Sequence, residues 1–152
     1  MFNININSQT QLVNCMIKDI ENANAEFYDA FENVSINMME NIWIHNDNCI
    51  CIHPGWEMIV GWLAIRESWM TIFTNMKNFK FTITNTKTRL YEDVVGVLTC
   101  VENIQMIQNK RKVHTGVVAT NIFEYDDNQK RWLIVYHHGS PVSDYLPPAN
   151  SY

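Results

Sequence analysis

His53, Glu102, Asn121 and His138 are the residues of this 152-residue chain best suited to hold or move a proton inside an otherwise apolar setting. His53 closes an alternating run and is followed by Pro54-Gly55, turn chemistry that would open its ring toward a pocket mouth. Its near-neutral titration suits acid–base work; the alternative is a structural imidazole bonded to the turn that follows. Glu102 breaks the apolar run from Val94 to Val101. A buried, unpaired carboxylate costs several kcal/mol or raises its pKa, so this one must reach water, a partner or a pocket. Tyr28 and Tyr136 are the hydroxyls that could serve it. Parity is open here, because the inward set of that strand could instead be Thr99, Val101 and Asn103. His137 and His138 are adjacent and must point to opposite faces. Carried along from Trp132 and Ile134, the alternation puts Tyr136 and His138 inward.

Cys49, Cys51 and His53 stand at i, i+2 and i+4, one face of a strand, which could suggest a soft metal site. Successive members would be about 6.6 Å apart along a strand, whereas neighbouring ligands on tetrahedral zinc lie about 3.5 Å apart. Core packing is the better reading for the thiols. No HExxH, paired CxxC or His-x-Glu signature is present, so no metal or other cofactor is expected. Trp43, Trp56, Trp62 and Trp69 crowd one stretch at core-like spacing, and Trp43, Trp56 and Trp69 would suit the wall of a pocket for an apolar or aromatic molecule.

The elements that must position these residues are legible from periodicity. From Ser8, taken as an N-cap, apolar residues recur from Leu12 to Phe31 on one face of a long helix. A shorter helix carries Met38, Met39, Ile42 and Trp43; Cys49 to His53 alternates as a short strand; a third helix begins near Gly61 with Trp62, Ile65, Trp69, Ile72 and Phe73 on its stripe. From Phe79 the period becomes two through four long strands, 79–91, 94–108, 112–125 and 131–138, whose short turns predict an antiparallel meander. Helices followed by strands predict one α+β domain over 1–152, its core at about 8–142 and an irregular tail at 143–152. Strands of a dozen residues coil, so the sheet should wrap the long helix as a cone with a ligand pocket inside. Apolar residues on both faces of 94–101 and 117–123 predict a homodimer through the outer sheet face.

Composition bounds the rest. With 47% apolar and 18% charged residues the chain folds rather than staying disordered, and a net charge of −5 argues against nucleic acid. The run Lys110-Arg111-Lys112 reads as a solvated hairpin tip. No secretory signal pattern or membrane-length apolar stretch is seen, so a cytoplasmic setting with four reduced cysteines is expected.

Particular stretches sharpen the fold. Trp43-Ile44-His45-Asn46-Asp47, Ile52-His53-Pro54-Gly55-Trp56, Gly61-Trp62 leading to Glu67-Ser68-Trp69, Ala119-Thr120-Asn121-Ile122-Phe123, and Trp132 followed by Tyr136-His137-His138-Gly139-Ser140-Pro141-Val142 resemble the SnoaL-like, ketosteroid-isomerase-related group of the nuclear-transport-factor-2-like superfamily. The ending is also similar, more loosely, to the association domain of calcium/calmodulin-dependent kinase II. The resemblance implies a cone-shaped fold but a wide choice of roles. One is a non-catalytic domain binding a small apolar or aromatic molecule through Tyr28, Trp43, Trp56, Trp69, Asn121, Tyr136 and His138. Another is a cofactor-independent isomerase, cyclase or dehydratase. In it Glu102, with His53, would move a proton beside a carbonyl while Tyr28 or Tyr136 held the developing oxyanion. A third is a homo-oligomerisation module. At the place of Asn121 the association domain carries an arginine, so the resemblance does not transfer recognition of an acidic ligand.

Overall fold

A computed structural model describes residues 6–76, 79–108 and 111–148. Lys110 of the basic run and the last four residues of the tail therefore lie outside the described residues. The elements are α1 (Ile6–Glu32), α2 (Ile36–Glu40), β1 (Ile50–Ile52), β2 (Ile59–Val60), α3 (Trp62–Asn75), β3 (Lys80–Tyr91), β4 (Val95–Gln108), β5 (Arg111–Asp126) and β6 (Arg131–Pro141).

The long helix begins at Ile6, so Ser8 lies within its first turn rather than capping it. Ile20, Ala23, Phe27 and Ala30 bury its apolar stripe, and two polar residues, Asn24 and Tyr28, are buried on the same face. Val34, at φ 52°, turns the chain out of α1. Ser35 then caps α2 by accepting a hydrogen bond from the Met38 amide at 3.2 Å. Gly61, at φ 86°, occupies a conformation open to glycine. Its amide bonds to the Cys49 carbonyl at 2.8 Å, and the Trp62 amide to the Asn46 carbonyl at 3.0 Å, which fixes the start of α3 against β1.

All six strands join one sheet in the order β2-β1-β6-β5-β4-β3. The expected meander is present as β3, β4, β5 and β6, each antiparallel to the next. Two features go beyond sequence expectation: β1 is only three residues long and pairs parallel to β6, and the two-residue β2 pairs antiparallel to β1. The β3–β4 turn uses Glu92 and Asp93, both at positive φ, as a tight hairpin requires.

Two irregularities bend the sheet. One interrupts the β3–β4 register between Thr84 and Lys87; the other lies on β6, where Phe123 pairs with Ile134 but Ile122 pairs with Tyr136, leaving Val135 as the extra residue. A bulge of one residue reverses which side chains face inward. Trp132 and Ile134 face the helices before it; His137 and Gly139 are the buried positions after it. The expectation for Tyr136 and His138 is thereby corrected. His138 is exposed, Tyr136 shares its face, and His137 is the inward histidine.

The core lies between α1, α3 and the inner sheet face. Helix α1 approaches β4 so closely at Gly96 that a Cβ there would stand 2.5 Å from Ile20 Cδ1. Phe27, Phe31, Trp69, Phe73 and Phe81 form a linked aromatic set with ring centroids 4.5–6.2 Å apart. The C-terminal tail folds back onto the outer face, where Tyr145 lies over Gly116 and the Val142 amide bonds to the Gly116 carbonyl at 2.9 Å.

Candidate functional site

Two polar clusters are embedded in the inner face, and Phe27 packs against a ring of each, Tyr28 at 5.0 Å and His137 at 5.1 Å between centroids. The first begins at His53, held where β1 ends because Pro54 packs onto Gly139, a position too crowded for a Cβ. The hydroxyl of Ser68, on α3, donates to the Ile65 carbonyl at 2.7 Å and so has spent its one proton. It must therefore accept from His53 Nε2 at 2.8 Å, which assigns the proton of that imidazole to Nε2. The Cys51 thiol lies against the same ring, 3.8 Å from Nδ1. Trp69 meets His53 edge-on, with centroids 4.6 Å apart.

His137 stands beside Cys51 in the β1–β6 register, and its ring centroid is 6.3 Å from that of His53. Asn121 Nδ2 donates to Asn24 Oδ1 at 2.8 Å, so Asn121 presents its oxygen to His137 Nδ1, 2.6 Å away. The His137 proton is then on Nδ1, in a buried chain running from β6 through β5 to α1. Burial drops His53 to about 4, and burial, with the neighbouring His53 and His138, drops His137 to about 3. Both rings are neutral at physiological pH.

The second cluster joins α1 to β4. Tyr28 donates to Glu102 Oε1 at 2.8 Å, and its oxygen is 3.3 Å from Cys100 Sγ. This settles parity: Leu98, Cys100 and Glu102 face inward, while Asn103 binds the other side, donating to the Thr82 carbonyl at 2.6 Å and accepting from Tyr145 at 2.5 Å. Glu102 is 3% exposed, and among the described residues its second carboxyl oxygen has no hydrogen-bond partner. Burial pushes this carboxyl up to about 7 against the opposing effect of the Tyr28 hydrogen bond. Burial, then the charges of Glu102 and Cys100, push Tyr28 well above its ordinary value; burial lifts Cys100 to about 11. A carboxyl that titrates near neutrality can take up or release a proton at little cost.

Beside this cluster a cleft of about 410 Å³ opens between α1 and the β3–β4 hairpin. Tyr28, Phe81, Ile83 and Leu98 are its apolar wall, and Glu21, Asp29 and Glu32 stand along its helical side. Ile83 is the register partner of Glu102, so the carboxyl sits next to that wall.

Of the residues singled out in the sequence, the structure brings Tyr28 and Glu102 together, and it places His53 beside Trp69. Asn121 joins the His137 chain. Trp43 is core, buried against Trp62 with centroids 6.3 Å apart, and Trp69 is wholly buried. Trp56 is 46% exposed and meets the His53 ring at a steep angle with centroids 5.1 Å apart, so it is not an interior wall. Of Cys49, Cys51 and His53, read in the sequence as core thiols and a turn histidine, Cys51 lies against His53 whereas Cys49 Sγ donates to the Asn46 carbonyl. Sequence reasoning missed Asn24, Ser68 and His137. The first two carried a signal, each being a polar residue set in an apolar helical stripe.

Residues 20–144 match the family model of the SnoaL-like domain. Among curated proteins, the F-box protein SKIP8 of Arabidopsis thaliana is 27% identical over 122 residues, 80% of this chain. The chain spans about half the length of that relative, 48%. Among solved structures, a provisionally assigned dehydratase of the NTF2-like family from Streptomyces avermitilis superposes with a TM-score of 0.78 at 24% identity, covering 86% of this chain and 99% of that one. A provisionally assigned calcium/calmodulin-dependent protein kinase type II association domain from Thiobacillus denitrificans gives 0.72 at 25% identity, with 81% and 94% covered. The association domain of the C. elegans kinase gives 0.72 at 16%, with 84% and 97% covered, a likeness of fold alone.

Proposed function

The chain belongs to the SnoaL-like domain family, and on that premise we propose that it is a small-molecule-binding domain whose ligand enters the cleft between α1 and the β3–β4 hairpin and reaches the Tyr28–Glu102 pair. The observation that carries this reading is Glu102 itself. A carboxyl this deeply buried, held by Tyr28 through one oxygen, is costly unless something polar reaches the other, and that oxygen is not sealed: the buried polar atoms without a partner among the described residues are Trp43 Nε1 and Trp69 Nε1. The adjoining cleft is large enough for a small organic molecule and has an apolar wall. Binding is favoured over isomerase-type catalysis because the Tyr28 proton is committed to Glu102 and is not free to hold an oxyanion. His53 and His137, neutral and with their N–H groups engaged, then act as supports for the fold around the site.

The test is a titration of small aromatic and apolar probes followed by protein NMR. Probes that bind should shift Tyr28 and Ile83 signals, and Ile83→Trp, which fills the half-buried wall, should weaken them at least tenfold while leaving the melting temperature within a few degrees. Binding untouched by Ile83→Trp would place the ligand elsewhere and end this reading.

A second reading, self-association, is favoured by the outer sheet face. Val97 pairs with Ile122, Thr99 with Thr120 and Val101 with Val118, a contiguous β-branched patch in which Val118 is 45% exposed. Such a patch is suited to a partner of the same kind, and the likeness to kinase association domains supports it. Light scattering should find a dimer or higher oligomer that Val118→Glu dissociates; a monomer for the unaltered chain at micromolar concentration would count against it.

A further inference from the structure

The character of the cleft narrows the ligand, and we infer that it takes an organic cation, an amine carried on an apolar or aromatic body. The inference rests on the cleft being the binding site. Among the described residues its charged lining is of one sign: Glu21, Asp29 and Glu32 all come from α1, and no described Lys or Arg lines it. Their charge is only partly spent. Glu32 accepts the Phe81 amide at 2.5 Å, which pins it to β3, and Glu21 accepts from Thr88 at 3.4 Å and faces Lys18 across an exposed 3.6 Å pair. The Asp29 carboxylate has no partner among the described residues. Glu102, held by Tyr28, lies behind the wall and not in the lining itself.

The spacing argues against a metal ion. From Glu21 to Glu32 is eleven residues of helix, roughly 16 Å, whereas oxygen ligands must converge to about 2.0–2.6 Å from a magnesium or calcium ion. These carboxylates cannot form a cage, but they give the cleft a negative field that draws cations in and turns anions away. An ammonium group beside Asp29 would leave an apolar body to cover Ile83 and the small exposed part of Phe81.

Three probes of one shape and different charge decide the matter on the full chain by calorimetry or NMR: 2-phenylethylamine, 2-phenylethanol and 3-phenylpropanoate. The amine should bind at least tenfold more tightly than the alcohol, the carboxylate more weakly than either, and added salt should weaken the amine alone. Asp29→Asn, on the exposed side of α1, should cut amine affinity several-fold and leave the alcohol unchanged. Equal or tighter binding of the alcohol or the carboxylate, or an amine indifferent to Asp29→Asn, overturns the inference. The cleft reading survives that result if Ile83→Trp still removes whatever binds. Both fail if no probe binds or if binding ignores Ile83→Trp.

Discussion

Asn121 shows how one side chain can hold several elements at once. It accepts from His137 and donates to Asn24, so truncation would strand a buried donor on β6 and a buried acceptor on α1. Each stranded group costs about 1–3 kcal/mol, and Asn121→Ala should therefore lower stability by about 3 kcal/mol in urea denaturation. Asn24→Ala strands only one group and should cost less. His138→Ala, on the exposed side, should stay within about 0.5 kcal/mol, as surface changes do. A loss in Asn121→Ala no greater than in His138→Ala would show that the buried chain contributes nothing. That Glu102 needed a partner, and that Tyr28 could be it, was readable from residue type and apolar context. Which of His137 and His138 faces inward was not, because the answer depends on an extra residue, Val135, that no alternation pattern announces.

The helices and long strands were legible because each buries one face, and burial of one face imposes a period of 3.6 or two. Short β1 and β2 carry too few residues to show a period, and the parallel docking of β1 onto β6 is a contact between segments some eighty residues apart that local pattern does not encode. The tail was read as irregular, yet its first part is tied down: Tyr145 donates to Asn103 and covers Gly116, where a Cβ would stand 2.1 Å from the ring. Gly116→Ala should force that ring off the sheet and release the tail. Chymotrypsin cleavage after Tyr145 should then speed up at least several-fold, with thermal stability reduced only modestly because the tail is peripheral to the core. Unchanged cleavage would mean that the ring accommodates the methyl group in place.

At the scale of the whole molecule, three buried groups give stability a defined pH profile. His53 and His137 have folded pKa values of about 4 and about 3, below their ordinary 6.5, so the unfolded chain binds more protons there and their contribution is lost as pH falls from 6.5. Glu102 goes the other way. Its folded pKa of about 7 lies above the ordinary 4.5, so the folded chain binds the extra proton and stability is lost as pH rises from 4.5 through 7. Between pH 6.5 and 4.5 two imidazoles oppose one carboxyl, and the net loss on acidification is that of one group, about 1.4 kcal/mol per pH unit. Stability should thus peak near pH 6.5 and fall slightly to a level reached above 7, until the buried thiols enter near pH 9. Glu102→Gln keeps an acceptor for Tyr28 but removes the titration. In urea denaturation across pH 4.5–8 it should abolish the decline above 6.5 and double the acid slope to about 2.7 kcal/mol per unit. The same slope in both proteins would mean that Glu102 exchanges its proton as freely in the folded chain as in the unfolded one, and the buried carboxyl would lose its claim to be the polar group that a ligand in the cleft reaches.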